Sequence, residues 1–150
     1  MENNWTRSTN ERTPAKLGRH LVDPADWRPR DILGSDTWIY RLSHAEIDEI
    51  EQAVRGIEAR DLDILSIAQS DFPLPHLGNA LMEIRDELIN GQGLTLIRGL
   101  DLRRMTKAQF AVAFWGIGTY LGEALCQNAG GHMLGHVKDI GEDYANVRGY

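Results

Sequence analysis

Histidines are the side chains of this sequence whose chemistry and spacing come nearest to a reactive site, and there are 5 of them. His132 and His136 lie four positions apart, the spacing of a metal-binding pair on one face of a helix. The nearby glycines Gly130, Gly131 and Gly135 disfavour a helix here. On a strand, residues four positions apart are separated by about 13 Å, too far to share a metal ion bound at about 2.1 Å. We therefore expect no metal site at this pair.

Another histidine lies next to a carboxylate in the segment His44-Ala45-Glu46. These residue types match the His-x-carboxylate pair of iron sites that consist of two histidines and one carboxylate. The segment is predicted to form the first turn of a helix, where residues two positions apart do not face each other. Glu46 is better explained as a helix cap. His20 and His76 have no evident partner in the sequence.

The sequence lacks the other common catalytic motifs. Gly116-Ile117-Gly118 lies inside an apolar segment and does not extend into a phosphate-binding G-x-G-x-x-G or G-K-[ST] pattern. No G-x-S-x-G nucleophile motif occurs. Cys126, the only cysteine, is expected to be a small buried residue, and it excludes an intrachain disulfide. The motifs thus predict no catalytic, cofactor-binding or metal-ligating residue in this chain.

Charge and hydropathy disfavour two classes of partner. The chain has 16 Lys and Arg against 22 Asp and Glu, a net charge of −6, which makes binding to a nucleic-acid backbone unfavourable. The segment Met1–Lys16 is polar, so we expect no signal peptide, and no apolar run approaches the roughly 18 residues of a membrane span. We expect a cytoplasmic protein without nucleic-acid or membrane partners.

The elements that would position these residues are organised around one short apolar strand, Gly93–Arg98. Its side chains are apolar on both faces, so both faces need cover. Predicted helices at Leu77–Asn90 and Lys107–Leu121 can provide that cover. No neighbouring strand is evident, although each buried, unpaired backbone group costs about 1–3 kcal/mol.

Capping patterns mark where two of the three helices begin. Ser43 and Glu46 form a capping box before a helix that should end near Asp61, and Thr106 and Gln109 form another before Lys107–Leu121. This last helix has no charge between its first residue and Glu123, so we expect it to be buried on nearly all sides. Gly116 and Gly118 within this helix should allow its backbone to contact neighbouring elements closely.

The remaining segments carry weaker signals. Residues 1–26 are polar and are predicted to be a flexible leader. The aromatic segment from Trp27 to Tyr40 lies among prolines and glycines and is interpreted as chain docked across the domain surface. His132–Val137 is a plausible second strand.

Taken in order, several short segments resemble the N-terminal part of the TauD/TfdA family, the taurine-dioxygenase-like Fe(II)/2-oxoglutarate-dependent enzymes. The resemblance extends from Trp27 to Tyr150. It is carried by the following segments: Asp71-Phe72-Pro73-Leu74-Pro75, Arg85-Asp86-Glu87-Leu88, Gly93-Leu94-Thr95-Leu96-Ile97-Arg98-Gly99-Leu100, Phe114-Trp115-Gly116-Ile117-Gly118, Gln127-Asn128-Ala129 and His132-Met133-Leu134-Gly135-His136-Val137-Lys138-Asp139.

This resemblance implies an α+β chain in which N-terminal helices precede the first strands of an incomplete double-stranded β-helix, or jelly roll. It also implies Fe(II) held by two histidines and a carboxylate, 2-oxoglutarate as co-substrate, and hydroxylation of a small molecule at a C–H bond. In the family, the His-x-Asp iron motif follows a segment similar to Asn146–Tyr150, so no family ligand maps onto this chain.

We therefore expect residues 27–150 to be the N-terminal part of such a domain, truncated before the iron motif. Alone, the chain should be inactive and bind neither Fe(II) nor 2-oxoglutarate. A complementing chain or self-association would cover its exposed apolar surface. The alternative is a non-enzymatic helical module that binds a partner chain.

Overall fold

The computed structural model of this chain describes residues 3–7, 13–126 and 128–135. Within that part the fold is α+β, with four α-helices and a small parallel sheet of two strands. The elements, in chain order, are α1 (Pro29–Ile32), β1 (Ile39–Arg41), α2 (His44–Ala59), α3 (Leu77–Asn90), β2 (Leu96–Arg98) and α4 (Lys107–Leu121). Two 3-10 turns, Ile64–Ser66 and Gln69–Asp71, connect α2 to α3.

The three long helices begin and end close to the positions that the sequence predicts. At the start of α2, the Ser43 hydroxyl accepts from the Glu46 N–H while the Glu46 carboxylate accepts from the Ser43 N–H, which confirms the capping box. The same exchange between Thr106 and Gln109 caps α4. The helix α2 ends at Ala59, two residues before the predicted end.

The core lies where α2, α3 and α4 meet the turns between α2 and α3. Phe72 at its centre is 0% exposed. A Cβ placed on Gly116 of α4 would lie 2.5 Å from three atoms of the Phe72 ring, so only glycine lets the helix approach this closely. The Tyr120 hydroxyl, also on α4, donates to the Phe72 carbonyl at 2.9 Å and accepts from the Leu74 N–H at 3.0 Å. These contacts fix α4 to the loop that precedes α3.

The central strand has a partner, which corrects the expectation that it lacks one. β1 pairs with β2 in parallel, with Tyr40 opposite Ile97. The interpretation of the Trp38–Tyr40 segment as surface-docked chain was therefore wrong, since Ile39 and Tyr40 are buried within this sheet. A three-residue strand is too short for alternation to reveal it, and its pairing depends on contacts distant in sequence.

The helix α4 is buried on one side only, contrary to the expectation of burial nearly all round. Ala113, Gly116 and Ile117 are buried, whereas Phe114 is 63% exposed. The physical reason is that α2, α3 and the 3-10 turns cover a single side of α4 in the described part of the chain. The double-stranded β-helix is likewise not seen among the described residues, which contain only the β1–β2 sheet.

The predicted strand at His132–Val137 is wrong for its described portion. Residues 132–135 form bends and irregular chain, while His136 and Val137 lie outside the described residues. Glycine weakens a strand, and three glycines occur here: Gly130 and Gly131 directly before His132, and Gly135 within the segment. They explain the absence of extended pairing in the described portion. In the described residues, no helix has the length and apolar character needed to cross a membrane.

Candidate functional site

The structure does not bring the described histidines together into one site. His20, His44, His76 and His132 are all exposed, and His136 lies outside the described residues. Glu46 serves the cap of α2 rather than pairing with His44. Within the residues that the structure describes, no three His, Cys, Asp or Glu side chains are grouped so that they could hold a metal ion.

The Fe(II) site implied by the sequence resemblance therefore does not fit the residues described here. Glu46 caps α2, and Glu49 accepts from backbone N–H groups at the start of α3. The neighbouring histidines, His44 and His76, lie at the surface. His-x-carboxylate spacing alone does not make a ligand pair, because the helical turn directs His44 and Glu46 apart. The described residues therefore provide no group of ligands for iron chemistry.

Cys126 is exposed, so the expectation that it is buried was wrong. Its Sγ donates to the Asn128 carbonyl at 3.1 Å. The chain leaves the core at Gly122, directly after α4, and the following residues to 126 are all exposed. Burial of a small apolar residue requires a packed neighbour, and this segment offers none among the described residues.

The pair Glu49 and His76 shows how a charged residue on α2 positions α3. The Glu49 carboxylate accepts from the backbone N–H groups of His76 and Leu77 and contacts the Nδ1 atom of His76. Burial alone would raise the pKa of Glu49, but hydrogen bonds from Leu77 and His76 outweigh it, so the pKa is lowered. The ionised carboxylate is suited to the N-terminus of α3, where backbone N–H groups lack helical partners.

A partly buried polar contact joins the sheet to α2. The Tyr40 hydroxyl donates to Glu46 Oε1 at 2.6 Å. Burial of the phenol, together with this hydrogen bond to a carboxylate, raises the pKa of Tyr40 far above its ordinary value. Tyr40 is therefore a neutral donor at physiological pH and is not suited to act as a base.

An apolar groove of about 670 Å³ lies on the described surface. It lies between the 3-10 turns and the C-terminal half of α4, and Met133 and Leu134 also line it. The large apolar side chains of its lining include Leu65, Ile67, Phe114, Trp115, Leu121 and Leu134.

The groove is lined mainly by apolar side chains, and few polar groups in its lining are available for catalysis. The indole N–H of Trp115 already donates to the Ile67 carbonyl at 3.2 Å, and Thr119 donates to the Gly116 carbonyl at 2.7 Å. Glu123, its only charged residue, is exposed. The groove and the 63% exposed ring of Phe114 together form an exposed apolar surface.

Sequence reasoning missed the contacts that organise this surface. Neither the contact of Glu49 with the start of α3 nor the bridging role of the Tyr120 hydroxyl was foreseen. The only sequence signal for the first was His76 directly before a helix that lacks a conventional N-cap residue. No local pattern indicates the second, because the bonded residues lie far apart in the chain.

No protein-family model matches this chain. Two curated proteins are similar to it over most of its length. FR-33289 synthase from Streptomyces rubellomurinus is 27% identical over 137 residues, which are 89% of this chain and 40% of that protein. The taurine hydroxylase-like protein SAT17 from Stachybotrys chartarum is 26% identical over 125 residues, 83% of this chain and 32% of that protein.

These relatives confirm the resemblance to TauD-like Fe(II)/2-oxoglutarate oxygenases at modest identity over most of the chain. The chain spans less than half the length of either relative. The activity of a whole oxygenase is therefore a proposal for this protein.

Proposed function

We propose that this chain forms the N-terminal part, residues 27–150, of a non-haem Fe(II)/2-oxoglutarate-dependent dioxygenase of the TauD/TfdA type. The complete enzyme would hydroxylate a small molecule at a C–H bond, coupled to decarboxylation of 2-oxoglutarate, in the cytoplasm. The observation that carries this proposal is the similarity to a taurine hydroxylase-like protein and to FR-33289 synthase over more than four fifths of the chain.

In this proposal the described residues provide structure rather than ligands. The helices α2, α3 and α4 and the β1–β2 sheet form a support, and the exposed groove beside Phe114 receives the rest of the domain. Iron and 2-oxoglutarate would be held by residues outside the described ranges, because the described histidines and carboxylates form no metal-binding group. The jelly roll would begin with the short parallel sheet.

The proposal is tested by comparing the 150-residue chain with a longer polypeptide that includes the coding sequence adjoining it in the genome. Both are loaded anaerobically with Fe(II) and 2-oxoglutarate, and metal content, the charge-transfer absorption of the complex and succinate formation in air are measured. We expect the 150-residue chain to bind no iron and form no succinate. The longer polypeptide should bind one iron and form succinate. A longer polypeptide that binds neither would contradict the dioxygenase assignment.

A non-enzymatic helical module that binds a partner chain is the second candidate, and the exposed Phe114 favours it. This candidate predicts that the 150-residue chain forms a stable complex with another protein. It also predicts that no longer polypeptide binds iron or forms succinate. Stoichiometric iron and succinate formation by the longer polypeptide would exclude this candidate.

A further inference from the structure

Residues 3–6 of the N-terminal segment lie beside the outer edge of β1. Asn3 Oδ1 accepts from the Arg41 N–H at 3.3 Å, and the Thr6 N–H donates to the Thr37 carbonyl at 3.1 Å. As the segment advances from residue 3 to residue 6, its partner on the β1 side moves back from 41 to 37. This is the direction of an antiparallel neighbour, so the segment takes the place that an added strand would occupy.

The edge that the segment covers is the one that faces away from β2. The Leu42 N–H donates to the Arg98 carbonyl at 2.8 Å. Because alternate residues of a strand direct their backbone groups to opposite edges, Arg41 faces outward. Ile39 faces outward too, and its N–H donates to the Asp36 carbonyl at 3.0 Å in the preceding turn. The acceptor for the outward N–H of Arg41 comes instead from the N-terminal segment.

Trp5 anchors the segment, although it belongs to the predicted flexible leader. Its ring meets the ring of Tyr40 edge to face, with centroids 5.9 Å apart and planes at 71°, and it is partly buried against the core. Its indole N–H donates to Thr95 Oγ1 at 3.3 Å, just before β2. The other residues of the segment are exposed: Asn3, Asn4, Thr6 and Arg7. Attachment of the segment therefore depends mainly on one aromatic side chain.

Such an attachment has the features of a peptide that binds by strand addition. In that mode, hydrogen bonds along a sheet edge hold the ligand, and side chains that fit pockets select it. A further contact, the ion pair of Arg7 with Asp86 of α3, adds little because the arginine side chain is 59% exposed. The segment can thus be released without separating α2, α3 and α4, which pack on one another through other residues.

A second copy of this chain carries the same ligand, and its segment fits the edge through identical contacts. Trp27 attaches the following chain to the α3–β2 turn, because its indole N–H donates to the Gln92 carbonyl at 3.0 Å. The 20 positions from Arg7 to Trp27 can extend to roughly 65 Å, about twice the diameter of a small domain. Residues 13–22 of this spacer are all exposed. The spacer can therefore reach the β1 edge of a neighbouring copy with little loss of buried contacts.

We propose that the outer edge of β1 is a strand-addition site for residues 3–7. The chain's own segment fills it in the monomer, and the segment of a second copy fills it in a dimer that exchanges these segments. The inference is independent of the proposed function, because its contacts involve neither iron nor 2-oxoglutarate. It also gives the N-terminal residues a role, since they protect an edge that would otherwise pair with other strands.

A shortened chain that lacks residues 1–8, mixed with a synthetic peptide of residues 1–8, tests the site. The peptide should bind with saturation in calorimetry and slow hydrogen exchange of the Arg41 amide at least about tenfold. A peptide with Trp5→Ala should bind at least about tenfold more weakly, because a buried aromatic anchor dominates such contacts. The Leu42 amide is the internal control, since it bonds to β2 in every sample.

The full chain with Trp5→Ala is the second acceptor, and it replaces the shortened chain if that chain does not fold. Its Arg41 amide should exchange faster than in the unchanged chain, and the peptide should protect it again. Absence of saturable binding to a folded acceptor, or equal binding of the two peptides, would overturn the site.

Sedimentation of the full chain tests the exchange of segments between copies. Protein refolded from urea at high concentration should contain a dimer that persists on dilution, because exchanged copies must release their segments before they separate. All samples carry Phe114→Asp to reduce association through the apolar groove. Trp5→Ala should abolish the dimer, and Trp27→Ala, an equal change away from the β1 edge, should retain it.

The two experiments separate the site from its occupant. Peptide binding without a dimer that depends on Trp5 would overturn the second copy as occupant and leave the chain's own segment as the ligand. A dimer that forms equally with Trp5→Ala would overturn the exchange in the same way. The iron and succinate assays are unaffected by either result, so failure of this inference is distinguishable from failure of the proposed function.

Discussion

The contact between Gly116 and Phe72 gives the sharpest test of how α4 packs. A Cβ at position 116 would lie 2.5 Å from the Cγ, Cδ1 and Cδ2 atoms of Phe72. Phe72 is 0% exposed, so its ring is enclosed by neighbouring residues. Gly118, two residues further along the same helix, has no atom within 4 Å of its own Cβ position. The two glycines therefore form a matched pair.

The expected change in the free energy of unfolding differs between these two positions. Replacing a helical glycine by alanine stabilises a helix by about 1 kcal/mol, and this gain applies at both sites. At position 116 the added methyl group also overpacks the core, which costs about 1–3 kcal/mol. Gly118→Ala should therefore stabilise the chain, while Gly116→Ala should be about 1–3 kcal/mol less stable than Gly118→Ala.

Urea unfolding of both variants at low protein concentration, followed by tryptophan fluorescence, measures this difference. The double variant Gly116→Ala with Phe72→Leu makes room above position 116, so its destabilisation should be less than the sum of the single changes. Equal stabilisation by alanine at positions 116 and 118 would refute the packing of α4 against Phe72.

Three further predictions concern other contacts of the same core and surface. Tyr120→Phe should destabilise the chain by about 1–3 kcal/mol, because it leaves the Leu74 N–H without its acceptor; an unchanged urea midpoint would contradict that bridge. Because hydrogen bonds lower the pKa of Glu49, its ionised form should stabilise the fold above its ordinary pKa of 4.5, and this contribution should be lost as the pH falls through the lowered value. The stability lost in Glu49→Gln should accordingly be full near neutral pH and shrink in acid, and a pH-independent difference would count against the interaction. Phe114→Asp should change the free energy of unfolding by no more than about 0.5 kcal/mol and reduce self-association in sedimentation, whereas Ile117→Asp on the buried side should unfold the chain.

Helix boundaries were the part of this protein that local sequence could determine. The reciprocal hydrogen bonds of Ser43 with Glu46, and of Thr106 with Gln109, involve residues three positions apart. Apolar spacing along α2 then selected the face that is buried, including Ile50 and Ile57. Such signals depend on neighbours in the chain, so they are visible without knowledge of the tertiary fold.

The sheet and the surface of α4 were decided by tertiary contacts. Tyr40 pairs opposite Ile97 although the two residues are far apart in sequence, and three-residue strands show no usable alternation. The apolar residues of α4 indicated burial on all sides, but the position of its neighbours leaves Phe114 in solvent. Likewise, Glu49 became the cap of α3 only because folding places α2 beside His76. Composition and spacing state what each residue can do, whereas the packing of distant elements selects which contact forms.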